Sequence, residues 1–201
     1  MKRIFVAVDI SEDARRKVSA YIETLRKEFR SVRVGWEKPE KLHLTLKFLG
    51  DCEEKQIDEL EKIVAKISGE FSAFKLQIAE TGVFPNARNP RVLWIDVKDK
   101  AGNLLRINER LETECARLGF ERERRKFVPH LTIGRARDGA GGAGVLARTH
   151  LEKGFEPARF DVSEIVIYQS KLLSTGSVYS VVARYILNKE EEKRRKGEEG
   201  I

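Results

Sequence analysis

Two nearly identical four-residue segments stand far apart in this chain of 201 residues: HLTL at 43–46 and HLTI at 130–133. Each lies in a stretch that alternates apolar and polar residues, KLHLTLKFLG and VPHLTIGRAR, and this period predicts a half-buried β-strand. The two histidines are 87 positions apart (130 − 43), nearly half of the chain. Each segment also follows one predicted helix and precedes another, so we infer an internal duplication that builds two similar lobes.

The other segments continue this succession of strands and helices. Amphipathic periods predict helices over SEDARRKVSAYIETLRKEFR, EEKQIDELEKIVAKIS and NLLRINERLETECARLG, with a short fourth helix near VLARTHLEKG. Further strands are expected at RIFVAVDI, VRVGW, FKLQIAE and RVLWIDVK. The C-terminal segments FDVSEIVIYQSKL and SVYSVVARYIL are typical of a β-hairpin.

The composition favours a soluble globular protein, with 41% hydrophobic and 35% charged residues. A net charge of +7 favours an anionic partner without identifying it, and one Met beside many Glu, Lys and Arg suggests a thermophilic source. The N-terminal apolar run is too short for a signal peptide, and no segment approaches the roughly 20 apolar residues of a membrane span. We therefore expect a cytoplasmic protein with no membrane contact, in which Cys52 and Cys115 are reduced.

The domain organisation follows from the last residues of the chain. We expect a single domain over residues 1–187, in which the two lobes are joined. The stretch 188–201, NKEEEKRRKGEEGI, is almost wholly charged and cannot contribute much core. We interpret it as a charged C-terminal tail.

Alternation along a strand places the polar residues of each repeated segment on one face. His43 and Thr45 share a face, whereas the leucines beside them point to the other, and His130 and Thr132 repeat this arrangement. The aliphatic residues suit a core, which leaves imidazole and hydroxyl together on the opposite surface. If the two lobes face each other, the two His/Thr pairs converge on one cleft.

Two imidazoles in one cleft suit the hydrolysis of a phosphodiester. The pKa of imidazole is about 6.5, so near neutrality one ring can hold a proton while the other accepts one. A base deprotonates the attacking water on one side of phosphorus, and an acid protonates the departing oxygen on the other. The threonine hydroxyls would donate hydrogen bonds to the non-bridging oxygens, where charge builds up. This scheme needs no metal ion and no cofactor.

Other interpretations of the histidines are weaker. A single His-x-Thr on a strand is more often structural than catalytic. The presence of a second copy favours the catalytic interpretation. Two histidines make a poor zinc site when no cysteines lie nearby and no carboxylates are positioned to act as further ligands. His150 lies in a helix-like stretch with no matching threonine, so we expect it at the surface.

Three stretches carry a resemblance to a known family. WEKPEKLHLTLKFLG, FPNARNPRVLWIDV and FVPHLTIGRAR resemble, phrase by phrase, the archaeal and bacterial 2′-5′ RNA ligase family. Members of that family act as RNA 2′,3′-cyclic phosphodiesterases and belong to the two-histidine phosphoesterase superfamily. The resemblance extends from RIFVAVDI to IYQSKLLSTGSVYSVV and leaves only the charged tail outside.

The resemblance implies a fold of the α+β class: two pseudo-symmetric lobes, each a mainly antiparallel sheet with helices on its outer face, around a central cleft. It also implies metal-independent opening of a terminal 2′,3′-cyclic phosphate of RNA to a 2′-phosphate. Some members of the family also join tRNA halves through a 2′-5′ linkage, so tRNA halves are a second candidate partner.

The same resemblance assigns roles to individual residues. By position, His43 matches the family's proton donor and His130 its proton acceptor. Thr45 and Thr132 match the phosphate-binding hydroxyls. Arg135 matches a basic residue associated with the phosphate, although a residue five positions along a strand points to the other face unless the strand bends.

A glycine-rich segment, GAGGAG at 139–144, matches the GxGxxG pattern of dinucleotide sites. Such a site also needs an acidic residue at the end of the next strand, whereas Asp161 stands at the beginning of its strand. The neighbouring strands are typical of hairpins and not of a parallel βαβ unit. We therefore interpret the segment as a loop that connects the lobes.

Basic and aromatic residues near the two segments are candidates for RNA contacts. The stretch ERERRKF at 121–127 supplies four basic side chains, and a solvated charged turn is an equally good interpretation. These four are Arg122, Arg124, Arg125 and Lys126. Trp36 lies beside a loop, where it is open to stack on an unpaired base, whereas core packing is expected for Phe48 and Trp94.

From these observations we predict a monomeric RNA 2′,3′-cyclic phosphodiesterase. Two alternatives remain open at this point. One is a protein that binds RNA ends through the same cleft without turnover, and the other is a phosphodiesterase for small cyclic or ADP-ribose-type nucleotides. Turnover by the parent protein separates the enzymes from the binding protein, and the choice between RNA and a cyclic mononucleotide separates the two enzymes.

Overall fold

The computed structural model describes residues 1–137, 141–174 and 176–189. Within these residues the helices are α1 (Glu12–Glu28), α2 (Glu54–Glu70), α3 (Asn103–Arg117) and α4 (Ala143–Lys153), with a 3₁₀ turn at Pro39–Lys41. The strands are β1 (Lys2–Asp9), β2 (Val34–Trp36), β3 (His43–Cys52), β4 (Phe74–Phe84), β5 (Val92–Lys98), β6 (His130–Ala136), β7 (Ala158–Val162), β8 (Glu164–Leu173) and β9 (Gly176–Ile186).

The strands form two antiparallel sheets, each of which contains one of the repeated segments. The His43 sheet has the order β3-β1-β8-β9, and the His130 sheet has the order β2-β6-β5-β4-β7. An α+β architecture with two antiparallel sheets was predicted, and the structure confirms it. The two-lobed arrangement follows because each sheet has helices packed on one face.

The helices cross between the lobes. Helix α2 contacts β8 and β9, and α3 contacts β3, so both lie on the His43 sheet. Helices α1 and α4 contact β7 and β4 of the His130 sheet. The helix that precedes each repeated segment therefore packs on the sheet of the other segment. The duplication inferred from the sequence does not produce lobes that are simply the two halves of the chain.

The alternation predicted for the repeated segments is present in the core. Leu44 and Leu46 are buried on β3, and Leu131 and Ile133 are buried on β6. These side chains belong to one continuous hydrophobic cluster that includes residues of both sheets. Burying each of them contributes roughly 1.5–3 kcal/mol to folding. The faces that carry the histidines and threonines are left outside this cluster.

The C-terminal prediction was wrong in one respect. FDVSEIVIYQSKL is not a single strand but divides at Ser163 into β7, which pairs with β4, and β8, which pairs with β1 and β9. Val162 is buried with one sheet and Ile165 with the other, so the chain changes lobes within three residues. The predicted hairpin is confirmed for β8 and β9.

Two predicted loop regions fall partly outside the described residues. Residues 138–140 of the glycine-rich region are not described, and its last residues, Ala143 and Gly144, belong to α4. Of the tail predicted at 188–201, residues 190–201 are not described. Asn188 is part of the fold, because its backbone N–H donates to Phe71 O at 3.0 Å and its backbone carbonyl accepts from Ala73 N at 2.9 Å. In the described residues no helix has the length and apolar character needed to cross a membrane.

His150 is buried, and the prediction that it lies at the surface was wrong. It is 0% exposed on the inner face of α4. Its Nε2–H donates to the carbonyl of Trp94 at 3.1 Å, and its Nδ1 accepts from the Tyr21 hydroxyl at 2.8 Å. Burial lowers the pKa of His150, so the ring is a neutral connector between α1, α4 and β5.

Gly82 of β4 allows the indole of Trp94 to lie against the backbone of the opposite strand. A Cβ at this position would be 2.1 Å from the Trp94 ring, a distance that real structures do not tolerate. We expect Gly82→Ala to displace the indole and to lower the free energy of unfolding by about 2 kcal/mol, as overpacking does. Urea unfolding followed by tryptophan fluorescence measures both effects.

Gly69→Ala is the matched control. Gly69 lies in α2, and a Cβ added there would have nothing within 4 Å, so alanine is expected to stabilise the helix by about 0.5–1 kcal/mol. Equal unfolding midpoints for the two variants would contradict the close approach at Gly82.

Candidate active site

His43 is fixed at the start of β3 by two hydrogen bonds. Its Nδ1–H donates to the carbonyl oxygen of Lys41 at 2.6 Å, and its Nε2 lies 3.0 Å from the Thr45 hydroxyl. On β1, Asp9 pairs with His43 and Ala7 with Thr45, so these side chains share one face of the sheet. Because Nδ1 carries the proton, the neutral ring presents the Nε2 lone pair to the threonine.

His130 is held in the same way at the start of β6. Its Nδ1–H donates to the carbonyl oxygen of Val128 at 2.7 Å, again the residue two positions before the histidine. Thr132 pairs with Trp94 of β5 and shares the face of His130. In both repeats, therefore, the same hydrogen bond from Nδ1 leaves Nε2 directed away from the backbone.

Aromatic rings enclose each imidazole. The Phe5 ring centroid lies 4.9 Å from that of His43, and the Tyr179 ring is 5.4 Å away in an edge-on arrangement. The Phe84 and Trp94 rings lie 5.2 and 6.1 Å from His130. These contacts restrict the rotation of the imidazoles and lower the local polarity around them.

Arg135 reaches the histidine face because β6 contains a bulge. Leu93 pairs with Gly134 but Trp94 pairs with Thr132, which leaves Ile133 as an extra residue. The bulge reverses the alternation, so Arg135 lies on the face of His130 and not on the opposite face. The strand thus bends in the way that the sequence-based assignment of Arg135 required.

Arg135 acts electrostatically on both histidines. Burial is the main factor that lowers the pKa of His43 and of His130 below 6.5, and the positive charge of Arg135 lowers each further. One guanidinium thus lies within electrostatic range of two imidazoles that belong to different sheets. The negative charge of Asp9 opposes this effect at His43 by raising its pKa.

Glu37 is the carboxylate that faces Arg135. One of its oxygens lies 3.8 Å from Arg135 Nε, and its side chain is only 19% exposed. Burial raises the pKa of Glu37, whereas the charges of Arg135 and Lys41 lower it. This contact holds the guanidinium near the end of β2. Glu37 was not predicted from the sequence, because it has no counterpart in the other repeat.

A second carboxylate, Asp9, forms a network beside His43. Asp9 accepts from the Tyr168 hydroxyl at 2.6 Å and from Arg184 at 3.2 Å. Burial and the neighbouring Asp9 raise the pKa of Tyr168, which therefore stays protonated. The alternation of RIFVAVDI already places Phe5, Ala7 and Asp9 on one face, and this signal could have identified Asp9.

The residues predicted to contact RNA are one aromatic residue, Trp36, and the basic residues of the stretch 121–127. Trp36 pairs with Gly134 and packs against the hydrophobic cluster, on the face of the sheet opposite to Arg135. Trp36 therefore does not share the face that carries Arg135, and its stacking on an unpaired base stays a prediction. Arg125 forms a salt bridge with Glu123, in which Nη2 lies 2.7 Å from the carboxylate oxygen Oε2. The other basic residues of the stretch are exposed and form no salt bridge with any described residue: Arg122, Arg124 and Lys126.

Two aromatic residues that were expected in the core, Phe48 and Trp94, both lie outside the hydrophobic cluster. Phe48, which was expected in the core, is 52% exposed, so that prediction was wrong. Trp94 is partly buried and stacks on Phe84 with 4.9 Å between ring centroids. Its indole N–H is buried and has no hydrogen-bond partner among the described residues. Those residues also contain no group of three or more His, Cys, Asp or Glu arranged to hold a metal ion.

Two antiparallel sheets that each present a His-x-Thr strand, with one arginine in electrostatic range of both rings, define a two-histidine phosphoesterase. The chain belongs to the family of LigT-like phosphoesterases, whose model matches it twice, at residues 8–94 and 95–179. The two matches agree with the duplication inferred from the sequence.

Individual relatives cover most of the chain. An RNA 2′,3′-cyclic phosphodiesterase of Thermotoga maritima is 34% identical over 181 residues, which cover 90% of this chain and 92% of the relative. Another, from Methanothermobacter thermautotrophicus, is 35% identical over 179 residues and covers 89% of this chain and 95% of the relative.

Solved structures share the fold. A crystal structure of a Thermus thermophilus protein has a TM-score of 0.77 at 25% identity, covering 94% of this chain and 99% of that one. E. coli LigT complexed with 3′-AMP has a TM-score of 0.72 at 22% identity, with coverage of 94% and 99%.

The shared influence of Arg135 gives a testable pattern of titration. We expect His43 and His130 to titrate below 6.5, and Arg135→Gln to raise both pKa values because it removes a positive charge near each ring. His150 is the internal control, since its lowered pKa arises from burial and is not affected by Arg135. Imidazole NMR shifts followed against pH in both proteins measure all three groups. A shift of only one active-site histidine would contradict a common site.

Proposed function

We propose that this protein hydrolyses the 2′,3′-cyclic phosphate at the 3′ end of RNA and leaves a 2′-phosphate. The observation that carries the proposal is the pair of imidazoles, each held through Nδ1 with Nε2 directed away from the backbone, and both within electrostatic range of Arg135. The relatives that are named RNA 2′,3′-cyclic phosphodiesterase, at 34% and 35% identity, support the choice of substrate.

In the proposed reaction each histidine transfers one proton. Nε2 of His130 takes a proton from a water molecule, whose oxygen forms a bond to phosphorus. The bond between phosphorus and O3′ breaks, and Nε2–H of protonated His43 delivers its proton to that oxygen. The phosphate remains on O2′. Thr45, Thr132 and Arg135 stabilise the charge on the non-bridging oxygens.

The surroundings of the two rings support this division of roles. His43 has Asp9 nearby, and that negative charge favours its protonated form. No carboxylate is among the groups that shift the pKa of His130, so its ring lacks this support for the protonated form and is neutral, ready to accept a proton. A bound phosphodiester adds negative charge beside both rings, which raises the pKa of His43 toward the range where it can donate at neutral pH.

We further propose that the reaction needs no metal ion, because two imidazoles provide both proton transfers and Arg135 supplies the positive charge. All of these groups come from one chain, so a monomer is sufficient. The reverse-type reaction, in which a 5′ hydroxyl attacks the cyclic phosphate and forms a 2′-5′ linkage, needs the same acid and base. Ligation of tRNA halves is therefore a second activity to assay with the same protein.

Alanine at either histidine tests the acid–base assignment. We expect His43→Ala and His130→Ala each to lower kcat by about 10²- to 10⁴-fold, because each removes one proton transfer. The assay uses RNA with a 2′,3′-cyclic phosphate end in the presence of EDTA, and the position of the phosphate in the product is determined. Binding of an RNA with a 2′-phosphate end should change much less.

The alternatives give different outcomes in this assay. A parent protein that binds RNA ends without turnover would support a binding function. A preference for a cyclic mononucleotide over RNA would support a phosphodiesterase for small nucleotides. Loss of turnover in EDTA, with recovery on adding a divalent cation, would contradict metal independence.

The threonines are tested by an isosteric change. Thr45→Val and Thr132→Val each remove one hydrogen bond to a charged phosphate oxygen, so we expect kcat/KM to fall roughly 10- to 100-fold. Thermal unfolding provides the control and should change little for Thr45, which is exposed. Full activity in both variants would mean that the hydroxyls do not contact the phosphate.

A further inference from the structure

Lys47 is a buried cation on the strand that carries His43. The residue is only 4% exposed. Val6 pairs with Lys47 but Ala7 pairs with Thr45, which leaves Leu46 as an extra residue in β3. This bulge turns Lys47 inward, whereas regular alternation from Thr45 would place it on the histidine face. Because a buried ammonium is costly unless it is paired, its partners indicate what the position does.

Helix α3 supplies the groups that receive the bulge. Lys47 Nζ lies 2.7 Å from a carboxylate oxygen of Glu112, whose side chain is 15% exposed. One turn earlier on α3, the Asn108 amide donates to the carbonyl oxygen of Leu46 at 2.8 Å. The free carbonyl and the buried cation that the bulge creates therefore both have partners on one helix.

The ion pair also holds the segment of the chain that leads to the second histidine. This connecting segment, residues 118–129, runs irregularly from the end of α3 to the start of β6. The ammonium of Lys47 donates to the carbonyl oxygen of Glu121 at 3.3 Å, and the Glu112 carboxylate accepts from the backbone N–H of Glu123 at 3.2 Å. Both members of the pair thus bind the backbone of the connecting segment.

The end of the connecting segment orients His130. Val128 provides the carbonyl oxygen that accepts from His130 Nδ1 at 2.7 Å, and Phe127 beside it packs against the hydrophobic cluster. Because β3 and β6 belong to different sheets, their relative position depends on packing and on links of this kind, and not on a shared ladder. The segment therefore connects a fixed point under β3 to the carbonyl that sets the tautomer of the second imidazole.

We propose that the buried Lys47–Glu112 pair positions His130 for the reaction by holding the connecting segment, and with it the Val128 carbonyl, against β3. Both side chains lie on the side of β3 away from the histidines, so they act through the backbone and not by contact with substrate. Groups that transfer protons on opposite sides of one phosphorus need accurate placement, and a displacement of about 1 Å can lower the rate roughly 100-fold. The proposal rests on the proposed function, since it takes His130 to be the base.

The test removes the pair without leaving a buried charge. Lys47→Met alone leaves Glu112 unpaired and is expected to lower the unfolding midpoint. The double variant Lys47→Met/Glu112→Leu removes both charges, so we expect its midpoint to return to near that of the parent. It cannot hold the connecting segment, however, and its kcat for RNA with a cyclic end should be about 10- to 100-fold lower, with KM little changed. Thermal unfolding gives the midpoints, and steady-state kinetics are measured well below them.

Arg110→Met is the matched control. The Arg110 guanidinium lies 2.6 Å from a carboxylate oxygen of Glu70, so this ion pair joins α3 to α2 and not to the connecting segment. We expect the variant to retain the kcat and KM of the parent. Parental kcat in the double variant, or an equal loss of kcat in Arg110→Met, would overturn the proposal.

A measurement without substrate separates this proposal from the proposed function. At a pH above the pKa of the ring, the nitrogen NMR shifts of an imidazole report which nitrogen carries the proton. We expect the double variant to shift His130 toward a mixture of tautomers and to leave His150 unchanged, since Tyr21 and Trp94 hold that ring. If the parent does not open the cyclic phosphate, the proposed function is wrong, and the NMR shifts still decide about the pair. His130 shifts identical to those of the parent would overturn the positioning role.

Discussion

The site depends on one hydrogen bond that each repeat makes, from histidine Nδ1 to the carbonyl oxygen two residues earlier. This bond fixes the tautomer and the orientation of both rings, so that Nε2 points away from the backbone in both. Without it, burial among aromatic rings would still hold the imidazoles in place but would not determine which nitrogen points away from the backbone. The two rings then differ only through their neighbours, chiefly Asp9 beside His43.

The arrangement of the site also requires the bulges in β3 and β6. A regular strand would place the residue five positions after each histidine on the core face, where neither a guanidinium nor a solvated phenyl ring can remain without cost. One extra residue in each strand reverses that phase and adds Arg135 and Phe48 to the face that carries the histidines. A change that removed a bulge would therefore alter the site without touching either histidine.

Much of this arrangement could be predicted from the sequence, because strict alternation determines which face a side chain takes. His43, Thr45, His130 and Thr132 lie on the faces that were predicted, and the two antiparallel sheets were expected. The bulges could not be predicted, since the same residues fit a regular strand, and Phe48 was misplaced for that reason. The burial of His150 depends on a hydrogen bond to Tyr21, 129 positions away, which local patterns do not reveal.

The order of strands in the His43 sheet has a consequence for biosynthesis. Strand β1 precedes β3 and β8 in the chain, yet it lies between them in the interior of its sheet. Until β8 leaves the ribosome, one edge of β1 has no hydrogen-bonding partner and its apolar side chains are partly exposed to solvent. The His43 sheet is therefore completed only after β8 has been translated, and a nascent chain that stops before β8 exposes an unpaired strand edge that can pair with other chains.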